Sequence, residues 1–165
     1  MRSLHQFCSW LQATPLSLAI QGTSWVVPLV QTVHILSIAA VLSAVLMIDL
    51  RLIGVLGRDQ SIARVSRRFR PTIWRTLPIL LVSGVVLIIG EPSRSLENSV
   101  FQLKMALLAT AILVTLAHQV PLRKDPTYWD PAGGRRMAVR IIAAISLFSW
   151  SGIVLAGRWI AYNLS

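Results

Sequence analysis

Apolar residues gather in four long runs, separated by two arginine-rich stretches and one short polar turn. The runs cover residues 25–48, 72–90, 99–120 and 138–162, each close to the roughly 20 residues needed to cross a bilayer as a helix. Backbone groups in hydrocarbon must be satisfied within the segment, which leaves helices or a closed barrel. The period-two alternation of barrel strands is missing, so the pattern predicts an all-α, four-helix integral membrane bundle. The second run is the weakest, with Arg75 and Pro78 in its first turns, and Pro121 is expected to end the third.

Residues 1–20 have a different pattern. His5, Gln6, Ser9 and Gln12 break up the apolar residues, unlike the continuous centre of a signal peptide. Leu4, Phe7, Cys8 and Leu11 recur at helical spacing beside Trp10, which predicts a short amphipathic helix on the membrane surface, ending near Pro15. The chain therefore reads as one transmembrane domain, 1–165, with basic loops at 49–71 and 121–137.

Composition supports this reading. Of 165 residues 55% are hydrophobic and only 13% charged, against about a quarter charged in soluble domains. The mean hydropathy is +0.66. The net charge of +10 does not indicate nucleic acid, because twelve of the sixteen basic residues lie in or beside the two loops. That asymmetry predicts cytoplasmic loops, an inner-membrane location and both termini in the periplasm. Trp25 and Trp159 then mark the outer interface and Trp74 the inner one. Cys8 is the single cysteine, so there is neither an internal disulfide nor a CxxC clip.

Ionisable residues inside spans are costly and mark the bundle interior. Lys104, Ala111 and His118 repeat every seven residues, with Thr115 on the same face. His34, Ser37 and Ala44 share a face that Asp49 closes, and Arg140 and Arg158 lie five whole turns apart, with Ala144 and Ser151 near that line. Counting 1.5 Å per residue separates His34 from His118 by roughly 15 Å in height, too far for two axial ligands of one upright haem. His34, Lys104 and Arg158 occupy the outer half; His118, Asp49 and Arg140 occupy the inner half.

The outer group has a chemical logic. A neutral imidazole at mid-depth ligates haem iron, and two cations nearer the surface pair with the propionates. His34 is the candidate ligand, Lys104 and Arg158 the propionate partners. Lys104 also suits a ligand or a catalytic base, and no sixth ligand is evident beyond Met105 or a tucked-in His5. Structural roles compete with these. An intramembrane histidine often only hydrogen-bonds a neighbouring helix, and Arg158 suits snorkelling to headgroups. His118 suits an ion pair with Asp49 at the inner rim, and is the weaker candidate for iron. Trp150 reads as packing. No GxGxxG, Walker loop, HExxH or GxSxG occurs, and the methionines are too dispersed for a copper path.

The segments "HQFCSWLQATPLSLAIQ", "TVHILSIAAVLSAVLMIDLRLIG", "FQLKMALL" and "AGRWIAY" resemble an uncharacterised family of small bacterial four-helix membrane proteins, over nearly the whole chain. More distantly, the layout is similar to copper-resistance-D type membrane proteins and to the HemJ type protoporphyrinogen oxidase. The HemJ resemblance implies haem-linked roles for a histidine early in the first span and a lysine early in the third, positions that His34 and Lys104 match. The expectation is a protein binding b-type haem, working in electron transfer with a periplasmic redox protein or as the haem-bearing subunit of a larger complex. The alternatives are a non-catalytic accessory subunit, a tetrapyrrole oxidase, and a quinone beneath the surface helix in place of haem. Self-association is left open.

Overall fold

The computed structural model describes residues 2–57, 59–129 and 135–160. Helices account for almost all of them, and no strand occurs among the described residues. Helix α1 (Arg2–Gln12) and α2 (Pro15–Gly22) form the leader. Four long helices follow: α3 (Val26–Ile53), α4 (Ile62–Gly90), α6 (Ser99–Lys124) and α7 (Arg135–Ile160), with the short α5 (Pro92–Leu96) between α4 and α6. All four long helices are apolar enough and long enough to cross a membrane.

Local chemistry sets the boundaries. Thr14 caps α2 by accepting from the Ser17 N–H, and Pro15 takes the first helical position, where no donor is needed. The leader therefore does not stop at Pro15; it turns there and starts a second helix. Gly54 ends α3 in the left-handed region, φ 85°. Ser61 caps α4 eleven residues ahead of the apolar run, and Ile62 and Val65 bury themselves while Arg67 and Arg68 stay exposed. This first part of α4 is amphipathic, so hydropathy alone passes over it. Pro121 does not end α6, which runs on to Lys124; the Asp125 N–H then closes on the Pro121 carbonyl at 2.9 Å.

The long helices pair as two hairpins, α3 with α4 and α6 with α7, and the α3–α7 contact joins the hairpins. Small residues make that packing close: Ala44 on α3, Ala111 on α6 and Ala143 on α7 are all buried. Val41, Val45, Ile48, Ile73, Trp150 and Ile153 fill the space between them. Trp150 is a packing residue, 1% exposed. Outside, Phe148 (75% exposed) and Leu155 (68%) point away from the bundle, while Ser37, Ser66, Ser83, Ser146 and Ser149 are buried. Apolar outside and hydroxyl-rich inside is the arrangement suited to a lipid surround.

Helix α7 corrects one expectation. The line through Arg140, Ala144, Ser151 and Arg158 is exposed, whereas Val139, Ala143, Ser146, Ser149 and Ile153 face inward. Five-turn spacing puts two arginines on one line but does not choose the inner face, and the long side chains reach outward. At the opposite end from the basic loops, α1 packs on α5, and α2 on α4 and α3. Cys8 is buried in that contact, Phe7 and Trp10 lie outside it with ring centroids 5.8 Å apart, and His5 Nδ1 meets Glu97 Oε1 at 2.7 Å. His5 is thus engaged at the surface.

Candidate functional site

Two polar sites lie along the bundle, one toward the leader end and one toward the basic end. The first is built on His34, half-buried on α3. Its Nδ1 lies 2.9 Å from Ser83 Oγ on α4. The Ser83 hydroxyl has a single proton, and it faces the Ile79 carbonyl at 2.7 Å and the Leu80 carbonyl at 3.1 Å. With its proton turned back on its own helix, Ser83 accepts from Nδ1–H. The Leu80 carbonyl also lies within hydrogen-bonding reach of the ring, and with Nδ1–H turned to α4 the neutral ring carries its lone pair on Nε2.

Glycine supplies the room. A Cβ at Gly84 would lie 3.3 Å from His34 Cε1, so the ring rests against bare α4 backbone. Across from it stands Lys104 of α6, half-buried and close enough to act electrostatically on His34. A Cβ at Gly157 of α7 would lie 3.8 Å from Lys104 Nζ. The Lys104 ammonium has neither an ion-pair nor a hydrogen-bond partner among the described residues. The α3–α4 hairpin therefore presents an imidazole nitrogen, and the α6–α7 hairpin an unpaired cation. Arg158 follows Gly157 directly but is exposed. Met105 is exposed as well.

The second site holds His118, 4% exposed, and Asp49, 3% exposed. They are not joined by an ion pair, which corrects the expected Asp49–His118 bridge. Both instead line a small cavity of about 10 Å³, shared with Thr115, Ser146 and apolar side chains of all four long helices. Asp49 Oδ2 and His118 Nε2 have no hydrogen-bond partner. Nearby, the buried Trp129 closes the end of α6, its Nε1–H donating to the His118 carbonyl at 2.9 Å. Trp74 Nε1–H donates to Gln119 Oε1 at 2.8 Å, tying α4 to α6. The structure so keeps His34 and His118 in separate sites, as helix counting implies.

Beneath the leader lies a third feature, a cleft of about 510 Å³. Its walls include the polar Gln12, Gln21, Thr23, Glu91 and Arg94 together with Val27 and Pro92.

Sequence reasoning missed Ser83, Gly84, Gly157 and Ser146. Adjacent Ser83 and Gly84 in mid-run were the available signal for the first two: a hydroxyl beside a gap in the helix surface. Among the described residues no three His, Cys, Asp or Glu side chains converge on a metal-ion position. A porphyrin brings four of its own nitrogen ligands and needs only one or two from the protein.

Nothing among the curated proteins or the solved structures matches the chain. A family model described as a family of unknown function (DUF6644) matches residues 10–163, which include both polar sites. The chain belongs to that family.

Proposed function

We propose that this protein is an inner-membrane carrier of b-type haem, with the haem in its leader half and His34 Nε2 as the iron ligand. One observation carries the reading: His34 is fixed through Nδ1 against α4 by Ser83, and the unpaired Lys104 ammonium is near enough to act on the ring. A hydrogen bond from the second ring nitrogen is what orients and strengthens a histidine ligand. Lys104 would pair with a haem propionate. Bound there, haem supplies one-electron chemistry; the chain's part is to hold, orient and shield it. The basic loops favour a cytoplasmic position for their end, which places the haem half toward the periplasm. Electrons would pass between a periplasmic redox protein and the membrane pool, or within a larger complex that this chain anchors. The match of His34 and Lys104 to the HemJ pattern supports tetrapyrrole chemistry in general, tested for oxidase activity by complementing a strain lacking protoporphyrinogen oxidase.

The same His34–Ser83 bond joins α3 to α4, and this favours a second reading, an accessory subunit in which His34 is interhelical glue. An absorption spectrum of the purified chain, expressed with ample haem, separates the two. A Soret band with reduced α and β bands is expected. A protein without one, stable in wild type and weakened by loss of His34, would be the accessory subunit instead.

A further inference from the structure

The Asp49–His118 cavity is unused by the haem reading and rests on independent observations. Both groups are more than nine-tenths buried, both line the same cavity, and each has an unpartnered polar atom. The Thr115 carbonyl is within hydrogen-bonding reach of the His118 ring; since Nε2 is unpartnered, that bond belongs to Nδ1–H. In the neutral ring Nε2 is an acceptor, and so is Asp49 Oδ2 when ionised. Two buried acceptors lining one cavity demand a donor between them. Thr115 is not that donor, because its hydroxyl is bonded to the Ala111 carbonyl at 2.7 Å. Ser146 is directed at the Asp49 carboxyl group and leaves Oδ2 unsatisfied.

Size narrows the choice. About 10 Å³ corresponds to roughly one water-sized probe and excludes anything larger. Water has two protons to give, one for each acceptor. The walls hold no other charge: beside Asp49 and His118, α4 contributes Ile73, α6 Thr115, and α7 Ile142 and Ser146.

We propose that this cavity is a buried proton-acceptor site, in which one water bridges Asp49 Oδ2 and His118 Nε2 and the pair takes up a single proton in common. On uptake the bridging water accepts a proton from outside the cavity and passes one on: an O–H bond of the protonated water breaks as an O–H or N–H bond forms at the pair, and the single water stays in place. The pair goes from one negative charge to none, which removes a charge buried among Ile48, Ile73 and Ile142.

Infrared difference spectra of the full-length protein in lipid nanodiscs, recorded across pH, test this. A protonated-carboxyl band should grow as pH falls, shift in heavy water and vanish in Asp49→Asn. In His118→Gln its midpoint should move by about one pH unit or more, as for coupled groups. A band that never titrates, survives Asp49→Asn, or ignores His118→Gln would overturn the proposal. Should a variant fail to fold, ¹⁵N-histidine NMR of the wild type decides: His118 Nε2 must change in the same pH step as the carboxyl band. A His118 signal that stays constant through that step would equally overturn it.

Discussion

His34 Nδ1 lies 2.9 Å from Ser83 Oγ, and that hydroxyl is bonded back to the Ile79 carbonyl at 2.7 Å. A serine with its only proton committed can do nothing for the imidazole but accept. The pair thus fixes which ring nitrogen is free, and that decides whether His34 is a ligand or a strut.

Ser83→Ala removes the acceptor and keeps the volume nearly constant. It should lower haem affinity about 10- to 100-fold, as for other partners of histidine ligands, and cost about 1 kcal/mol of stability. Haem titration and denaturation in mild detergent read the two effects separately. Ser83→Thr, which retains the hydroxyl, should restore most of the affinity.

Gly84→Ala puts a methyl group 3.3 Å from His34 Cε1, so the ring must move by a few tenths of an ångström. Overpacking of this kind costs about 1 kcal/mol and should disturb the ligand-field spectrum more than the fold. Gly157→Ala is the control, because its methyl would meet Lys104 Nζ at an ordinary 3.8 Å.

Trp150 fills the centre of the bundle, yet its Nε1–H has no partner. Trp150→Phe deletes an unpaired donor along with some volume and should change stability by less than about 1.5 kcal/mol. Trp150→Ala should cost about 3–5 kcal/mol. Equal losses in the two variants would place a hydrogen bond on that nitrogen.

Cys8 lies on the buried face of α1, and burial, with a smaller contribution from Glu97, pushes its thiol up from the ordinary value. A raised pKa means less thiolate at neutral pH, and the thiolate is the reactive form. Maleimide labelling of Cys8 should be about tenfold or more slower than that of Ser9→Cys in a Cys8→Ala background. Its rate should still be rising with pH above the range where an ordinary thiol levels off.

Much of this architecture could be read from residue order, because a run such as 25–48 leaves the backbone few choices in hydrocarbon. The separation of His34 from His118 was legible too, since helical rise converts sequence distance into height. Rotation was harder. Arg140 and Arg158 are the most conspicuous residues of α7, yet their flexible side chains reach outward, and the less conspicuous Ala143, Ser146 and Ser149 form the inner face. Asp49 and His118 were correctly placed at one level, but whether two groups on different helices touch depends on side-chain direction. Ser83 went unnoticed because its importance comes from a residue 49 positions away.

The most direct test of the account is haem content per chain, measured by pyridine haemochrome on protein purified after expression with excess haem. The account predicts one haem per chain in the wild type and in His118→Ala, and almost none in His34→Ala when that variant is still folded by circular dichroism. Haem absent from the wild type, or retained fully in folded His34→Ala, would contradict it.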